Sequence, residues 1–435
     1  MKSNSNPNNG TLLIAGGRVI DPASGLDQEL DVLLRDGRVA ELAAPGLLKA
    51  HARETFNAKG CIVAPGFVDL HVHLREPGQS HKETIATGTA AAAAGGFTAV
   101  CAMPNTSPVN DSPEITRWMQ APERDALVRV FPVAAATVGS QGEKLTNFAA
   151  LKKAGAVAVS DDGRPILDDN LMRDALRAAG KLSIAVVQHA EDSRLTAGCS
   201  MNQGPTSFRL GLRGMPNAAE SDIVRRDVAL ARATRAHIHV AHISTTEAME
   251  AVRQAKKAGI RATAEITPHH FTLLDENIRD FDTHYKMNPP LRSLADRQAM
   301  ISGIADGTID AIATDHAPHA FHEKQVEFER ASMGIIGLET ALPIALTVLY
   351  HHFNLPLWRI VELLSSGPAH VFGLSDLGTL APGAHADVTI FDPEKKWRYD
   401  AFKSRSKSRN TPYDGWSFTG KVAATIVAGR VIYSD

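Results

Sequence analysis

Two histidines one residue apart, followed by an arginine, are the clearest sign of chemistry in this sequence. They lie in the run DLHVHLR at residues 69–75, at the end of an apolar segment. Side chains alternate between the two faces of an extended strand, so His71 and His73 point to the same side and can bind one metal ion. Arg75 can hold a carboxylate through both arms of its guanidinium group. The run therefore predicts a metal site beside a position for an acidic substrate.

Further histidines and carboxylates follow other apolar runs of the chain. They are Asp162, His189, His242 and Asp315. In a barrel of parallel strands, reacting groups lie where strands end and loops begin, which would bring all six side chains together. Four imidazoles and two carboxylates can hold two zinc ions if one carboxylate bridges them. Alternation along the strand places Asp162 with Ser160 and favours it over Asp161 for the bridge.

A zinc pair of this kind predicts hydrolytic chemistry. Water bound to zinc ionises near pH 7 instead of about 15.7, which makes a bridging hydroxide available as a nucleophile. Asp315 is the predicted general base, which accepts the water proton and returns it to a departing nitrogen. The sequence contains neither a Gly-x-Ser-x-Gly elbow nor a glycine-rich phosphate loop. The predicted reaction is the opening, or the reverse closure, of an amide-type bond.

Two other histidines receive a structural interpretation. His237 and His239 are out of phase with His242 along the same run. If His242 faces the mouth of the barrel, alternation predicts that this pair faces the surrounding helices.

The elements that must position these residues alternate between strands and helices. Helical spacing is clear in residues 82–94, 171–180 and 245–257. Eight short apolar runs alternate with such Ala-rich segments, which predicts a (β/α)8 barrel of the TIM type, in the α/β class. The runs are 62–70, 97–103, 127–134, 156–160, 183–188, 237–242, 261–267 and 309–314.

Short strands with turn signals occupy both ends of the chain. Asp36-Gly37 between apolar runs predicts a hairpin, and the runs 386–391 and 423–432 resemble those near the start. We predict a small β-sandwich domain built from both termini. Residues 1–65 and 372–435 would form its two parts, and residues 66–371 would form the barrel.

Composition limits the classes of partner and compartment. A chain of 435 residues with a net charge of −2 and a pI near 6.8 has no basic field for nucleic acid. It lacks an apolar run long enough to span a membrane. Three cysteines without CxxC spacing indicate a reducing compartment, so a cytoplasmic location is predicted.

Several motifs together carry a resemblance to a known family. They are DLHVHLREPG at 69–78, MPNT at 103–106, SDDG at 160–163, MNPPLR at 287–292 and ATDHAPH at 313–319. Over nearly its whole length the chain resembles the bacterial dihydroorotases of the amidohydrolase superfamily. The resemblance implies a zinc-dependent cyclic amide hydrolase that interconverts N-carbamoyl-L-aspartate and L-dihydroorotate in pyrimidine biosynthesis. The six residues above match the family's metal ligands, and Asp162 stands where many relatives use a carbamylated lysine.

The same resemblance implies a set of substrate contacts. The matching residues are His73, Arg75, Asn105, Asn288, His319, Met333 and Gly334. Arg75 and Asn105 would hold the carboxylate of dihydroorotate, and His319 lies on the loop after the eighth strand. Ser332-Met333-Gly334 replaces the family's usual Pro-Phe-Gly, which changes the wall of the substrate pocket.

Two other interpretations remain open at this point. An allantoinase or a dihydropyrimidinase (hydantoinase) would use the same metal scaffold, but their neutral rings give Arg75 nothing to pair with. A non-catalytic subunit that supports aspartate transcarbamoylase typically lacks metal ligands, whereas this chain keeps all six. The sequence leaves open whether the chain works alone, as a homodimer, or in complex with aspartate transcarbamoylase.

Overall fold

Strands and helices alternate through the middle of the chain, and strands dominate its two ends. The computed structural model describes residues 10–435. The strands are β1 (Thr11–Asp21), β2 (Leu26–Arg35), β3 (Arg38–Ala43), β4 (Glu54–Asn57), β5 (Ile62–Pro65), β6 (Phe67–Val72), β7 (Phe97–Ala102), β8 (Arg129–Ala134), β9 (Ala158–Ser160), β10 (Ala185–Gln188), β11 (Met201–Asn202), β12 (Gly214–Met215), β13 (Ile238–Val240), β14 (Ala262–Ile266), β15 (Ala311–Ile312), β16 (Val388–Arg398), β17 (Ser417–Val427) and β18 (Arg430–Ser434).

The helices follow the strands in the order expected of βα units. They are α1 (Ile85–Ala94), α2 (Pro113–Met119), α3 (Phe148–Lys153), α4 (Asp169–Lys181), α5 (Ser193–Thr196), α6 (Pro205–Leu210), α7 (Ala218–Thr234), α8 (Thr246–Lys257), α9 (Leu294–Ala305), α10 (Phe321–Lys324), α11 (Ala341–Ile344), α12 (Leu357–Leu364) and α13 (Ser366–Val371). A π-helical stretch spans Ala345–His352, and single 3₁₀ turns occupy Lys49–His51, Pro122–Arg124, Val138–Ser140, Asp275–Asn277, Thr283–Tyr285 and Ala401–Lys403.

Side-chain N-caps define the first residues of three helices. The Thr84 hydroxyl accepts from the backbone N–H of Thr87 ahead of α1, and Asp168 and Thr245 cap α4 and α8 in the same way. Such caps satisfy backbone donors that have no partner inside the helix. The three predicted helices are therefore confirmed, with starts set by these caps.

The eight central strands form one parallel sheet that wraps into a barrel. Its order is β15-β14-β13-β10-β9-β8-β7-β6. The two edges meet where β6 ends, because Val72 bridges His316 in parallel and the His73 N–H donates to the His316 carbonyl at 2.9 Å. Asp69 adds to this seam by accepting from the Thr314 N–H at 3.1 Å. The predicted barrel is confirmed, and its seam lies beside the candidate site.

Small and branched side chains fill the barrel, as expected for strands whose inner positions interdigitate in layers. The cluster contains Val68, Leu70, Ala99, Cys101, Met103, Val133, Ala158, Ala185, Val187, Ala241, Ala311 and Ala313. Phe372 and Leu377, which follow α13, join this cluster and close the amino end of the barrel. Solvent therefore reaches the interior from the carboxyl ends of the strands, here called the mouth.

Strands from both termini form a second, mixed sheet of eight strands. Its order is β18-β17-β16-β5-β1-β2-β3, with β4 paired to β1. The sheet curls until Arg38 bridges His385, and its inner face encloses one apolar core drawn from both ends of the chain. Asp36-Gly37 forms the predicted hairpin turn, with positive φ at both residues. The division at residues 65 and 371 stays a prediction, and residues 1–9 lie outside the described part.

Two apolar runs contain two strands each, where the sequence indicates one. Residues 62–70 divide at Gly66, because β5 joins the terminal sheet and β6 the barrel. A Cβ at Gly66 would clash with the side chain of Thr98, so only glycine fits at this crossing. Residues 423–432 divide at Ala428-Gly429, which turns β17 into β18 with positive φ at both positions.

Candidate functional site

The six predicted metal ligands converge at the mouth of the barrel. His71 lies on β6 and His73 just beyond it, while the other four follow β9, β10, β13 and β15 by one to three residues. All six side chains are buried. The structure therefore brings together residues that are up to 244 positions apart, from His71 to Asp315.

Asp162 has the central carboxylate of this cluster. Its Oδ1 lies 3.4 Å from His71 Nε2, 3.6 Å from His189 Nδ1 and 3.9 Å from His242 Nε2. Its Oδ2 lies 3.6 Å from His73 Nε2. Asp161 points away and accepts from the backbone N–H of Thr137 at 2.9 Å. The choice of Asp162 over Asp161 for the cluster agrees with this placement.

Asp315 is the second carboxylate of the cluster. Its Oδ1 lies 3.0 Å from His73 Nε2 and 3.6 Å from His71 Nε2. Its pKa is held well below the usual range, because hydrogen bonding to His73 and the positive charge of His71 outweigh burial. Asp162 behaves alike, since the charge of His71 and hydrogen bonds from His189 and His242 overcome burial and keep its pKa low. Both carboxylates are thus ionised and available to a cation.

The donor atoms fit a bound metal. In each of two groups of three residues, the potential ligand atoms lie within 4.8 Å of one another. One group is His71, Asp162 and His242, and the other is His71, His73 and Asp315. Among the described residues, His71 Nε2 has no hydrogen-bond partner although it is buried between the two carboxylates. His189 Nδ1 and His242 Nε2 face each other at hydrogen-bond distance, 2.9 Å, beside Asp162. The cluster is able to hold a metal ion.

Strained backbone occurs at three of the predicted site residues. Arg75, His242 and Asp315 have φ of 60°, 30° and 46°. Residues other than glycine rarely adopt positive φ, and each instance costs about 1–3 kcal/mol. Strain of this kind persists only where surrounding contacts hold the chain in place, and here it turns each side chain into the mouth.

A cavity of about 220 Å³ opens directly above the cluster. Its volume suits one small, compact molecule. Its lining contains most of the predicted ligands and substrate contacts: His73, Arg75, Asn105, Asp162, Gly163, His189, His242, Asn288, Asp315, Ala317, His319 and Met333.

Arg75 and His319 lie side by side in this cavity. Arg75 donates from Nε to the Pro318 carbonyl at 3.0 Å, and its Nη2 lies 3.4 Å from His319 Nε2. Burial and the positive charge of Arg75 lower the pKa of His319 to about 3, so its ring is neutral near pH 7. The other N–H groups of the guanidinium have no hydrogen-bond partner among residues 10–435 and can hold an anionic group.

Asn105 and Asn288 bind the ligand set itself. Asn105 accepts from His73 Nδ1 at 2.9 Å and donates to Asp162 Oδ2 at 3.0 Å. Asn288 donates to Glu191 Oε2 at 2.7 Å, and that oxygen lies 3.1 Å from His189 Nε2. Both amides therefore orient cluster side chains, and their predicted contacts with substrate stay predictions.

Met333 lines the cavity, and Gly334 follows it directly in the chain. His319 Nε2 donates to the Met333 carbonyl at 2.9 Å, and the Gly334 N–H donates to the Lys286 carbonyl at 2.9 Å. Gly334 has φ of 150°, and a Cβ there would lie 2.8 Å from the Ala317 Cβ. Glycine is required at this position.

Glu265 and His239 were missed by sequence reasoning, and the orientation predicted for His237 and His239 is wrong, because both rings contact the Thr263 hydroxyl. His239 points into the barrel, where its Nε2 lies 3.1 Å from Glu265 Oε2, and Ile238 faces the helices instead. Alternation fails because the positive φ of His242 reverses the phase at the strand end. Polar residues at alternate positions of β14, Thr263 and Glu265, were the available signal.

Asn410 is a further residue that sequence reasoning missed. It lies in the C-terminal part of the chain, yet its side chain accepts from the His319 N–H at 3.0 Å. It also donates to the carbonyls of Ala317 at 2.9 Å and Gly334 at 3.0 Å. One buried amide thus joins both walls of the cavity.

We expect Asn410→Ala to loosen these walls without disturbing the metal ligands. It leaves three buried backbone groups without partners, which costs about 2–3 kcal/mol in the free energy of unfolding. KM should rise while metal content stays the same, as measured by urea titration, steady-state kinetics and elemental analysis. Asn170→Ala, on the exposed face of α4, is the control. An unchanged KM in the Asn410 variant would contradict this role.

Comparisons with known proteins agree with the fold and identify the family. A family model described as "Dihydro-orotase-like" matches residues 60–248. Dihydroorotases of Geobacter sp. (strain M21) and Citrifermentans bemidjiense are each 51% identical to this chain over 423 residues, which is 97% of this chain and 99% of theirs.

Solved structures give the same architecture. An L-hydantoinase (dihydropyrimidinase) from Arthrobacter aurescens has a TM-score of 0.87 at 24% identity, covering 98% of this chain and 96% of that one. A dihydropyrimidinase from Brevibacillus agri has a TM-score of 0.83 at 22% identity, covering 98% and 95%. At such low identity these two structures show the fold alone. The relatives at 51% identity go further, and the chain belongs to the dihydroorotase family of cyclic amide hydrolases.

Proposed function

We propose that this chain catalyses the reversible closure of N-carbamoyl-L-aspartate to L-dihydroorotate. The observation that carries the proposal is the buried guanidinium of Arg75 in the same small cavity as the carboxylate–imidazole cluster. The cluster suits opening of an amide bond, and the guanidinium suits a ring that carries a carboxylate. Membership of the dihydroorotase family supports both the opening of an amide bond and the recognition of a ring that carries a carboxylate.

We propose two zinc ions as the cofactor, held by the six residues of the cluster with Asp162 as the bridge. Imidazole and carboxylate ligands suit zinc, and the unpartnered Nε2 of His71 supports a metal there. When bound, such ions supply Lewis acidity and a water that ionises near neutral pH.

The protein's own groups then orient substrate and move the proton. In the hydrolytic direction a water oxygen bonds to the ring carbonyl carbon, the ring C–N bond breaks, and the nitrogen gains a proton. Asp315 Oδ1, ionised and 3.0 Å from His73 Nε2, accepts the proton from water and returns it to that nitrogen. Arg75 holds the substrate carboxylate, and Asn105, Asn288, His319, Met333 and Gly334 line or support the rest of the pocket.

An activity assay with metal analysis tests this proposal directly. Purified protein is offered dihydroorotate, hydantoin and allantoin, and zinc is quantified in the same sample. We expect kcat/KM for dihydroorotate to exceed that for the neutral rings by about 100-fold or more, with two zinc ions per chain. A preference for hydantoin or allantoin would favour the rival enzymes. Full zinc occupancy without turnover of any ring would favour a non-catalytic subunit.

Location and assembly are proposed on less specific grounds. Among residues 10–435, no helix is long and apolar enough to cross a membrane. We propose a cytoplasmic location, as for a reducing compartment in which Cys61, Cys101 and Cys199 stay free. A homodimer and a complex with aspartate transcarbamoylase are both compatible with the sequence, and light scattering of the purified chain with and without that enzyme separates them.

A further inference from the structure

A hydrogen-bonded row of side chains, fully buried at His71, Glu265 and His239 and partly buried at Thr263 and His237, runs from the candidate metal cluster down the barrel interior. It starts at His71, whose Nδ1 lies 2.8 Å from Glu265 Oε1. Glu265 Oε2 lies 3.1 Å from His239 Nε2, and His239 Nδ1 lies 2.8 Å from the Thr263 hydroxyl. The Thr263 hydroxyl also lies 2.7 Å from His237 Nε2. Four of these five residues sit on the neighbouring strands β13 and β14 or next to them.

When every imidazole is neutral, only one assignment of hydrogens uses every contact in this row. An ionised carboxylate accepts and cannot donate, so both imidazole nitrogens that face Glu265 must carry hydrogens. His239 is then protonated at Nε2 and accepts at Nδ1 from the Thr263 hydroxyl. That hydroxyl oxygen accepts in turn from Nε2 of His237. The hydrogen bonds therefore all point from His237 towards Glu265, and Glu265 in turn fixes the hydrogen of His71 on Nδ1.

Fixing that hydrogen determines which nitrogen of His71 can bind a metal. Metal binding requires a neutral imidazole, which has one N–H and one lone pair, so an N–H at Nδ1 leaves the lone pair at Nε2. Nε2 is the buried atom between Asp162 and Asp315 that lacks a hydrogen-bond partner among the described residues.

Glu265 differs from the residues that face the outer nitrogens of His73 and His189. His73 Nδ1 faces the neutral amide of Asn105 at 2.9 Å, and His189 Nε2 faces Glu191 at 3.1 Å, whose side chain is 16% exposed. Glu265 is fully buried, and it also accepts from the backbone N–H of His242 at 3.4 Å. One carboxylate therefore supports the side chain of one predicted ligand and the strained backbone of another.

We propose that Glu265 is a positioning residue that holds His71 as its Nδ1–H tautomer, and that His239 keeps Glu265 in place for this task. Carboxylates behind ligating imidazoles fix the ring and raise its basicity, and their loss typically weakens metal binding by about 10–100-fold. This inference rests on the proposed zinc-dependent function.

Zinc affinity of Glu265→Gln tests the proposal without any substrate. The glutamine amide can accept from one imidazole but presents N–H groups to the other, which forces a tautomer change or an unpaired contact. We expect the zinc dissociation constant to rise by about 10–100-fold in competition with a chromophoric chelator. At saturating zinc, KM for dihydroorotate should stay close to that of the parent chain. A folded Glu265→Gln protein that binds zinc as tightly as the parent would overturn the proposal.

Two substitutions of His239 keep the test valid if Glu265→Gln fails to fold. His239→Gln retains an N–H near the position of Nε2, whereas His239→Leu fills the space without a donor. We expect the glutamine variant to bind zinc within about 3-fold of the parent and the leucine variant to lose about 10-fold. Equal affinities for the two would overturn the proposal. Because chelator competition needs no turnover, a failure of the proposed activity would show separately, as a metal-loaded parent chain without dihydroorotase activity.

Discussion

Asp162→Ala should lose bound zinc and catalytic turnover together. Among residues 10–435, Asp162 is the one carboxylate whose oxygens lie within 3.4–3.9 Å of imidazole nitrogens from all four predicted ligand histidines. Without it, Asp315 is the one carboxylate left among the predicted ligands of a cation. We expect zinc content to fall from about two per chain to well below one, and kcat/KM to fall by about 10³-fold, close to 4 kcal/mol. Elemental analysis and steady-state kinetics measure both.

The neighbouring aspartate provides the matched control for this variant. Asp161→Asn changes a carboxylate one residue away that binds Thr137 and does not face the cluster. It should keep its zinc and lose only stability, since its contacts hold the loop after β9. Asp162→Asn then separates charge from shape, because it keeps the size of the side chain and removes one negative charge. Two tightly bound zinc ions in Asp162→Ala would refute the bridging role.

Strand periodicity was sufficient to find most of this cluster. Each predicted ligand lies at the end of an apolar run, and parallel strands place all such ends at one mouth. The terminal sheet was predictable for a similar reason, because Asp36-Gly37 and the flanking alternation specify a hairpin locally. Local patterns therefore yield the elements and the rim on which chemistry takes place.

The sequence did not predict residues whose roles depend on contacts with distant parts of the chain. Asn410 holds the His319 N–H from 91 positions away, within a segment whose composition reads only as polar and basic. His239 was misoriented because alternation holds only while φ stays extended, and His242 leaves that region. Glu265 lies in the middle of β14, where a buried carboxylate is stable only because His71 and His239 donate to it. Its pKa, about 2, follows from those hydrogen bonds overcoming burial.

The metal cluster and the cavity wall give different information about function. Cyclic amide hydrolases of several specificities share the barrel, as the hydantoinase structures illustrate at 22–24% identity. The metal cluster therefore indicates a reaction class, and the cavity wall must select the ring. Arg75 is the buried cation of that wall.

Arg75→Ala should keep its zinc and lose affinity for substrate. A desolvated guanidinium paired with a carboxylate contributes about 3–4 kcal/mol when one partner is removed, so KM for dihydroorotate should rise by about 100- to 1000-fold. Arg75→Lys should have a KM between those of the parent chain and Arg75→Ala, because an ammonium keeps the charge and loses the bidentate fork. Steady-state kinetics and elemental analysis on the same preparations measure the two effects.

The substrate offers the decisive control for Arg75. This side chain also donates to the Pro318 carbonyl at 3.0 Å, so its loss could act by loosening the loop after β15. The methyl ester of dihydroorotate lacks the charge of the carboxylate and adds one methyl group, and the parent chain should prefer the acid by about 100-fold or more. In Arg75→Ala that preference should shrink to within a few-fold. If acid and ester instead lose kcat/KM equally, Arg75 supports the loop and does not recognise the carboxylate. Arg177→Ala, on the surface of α4, should leave both rates unchanged.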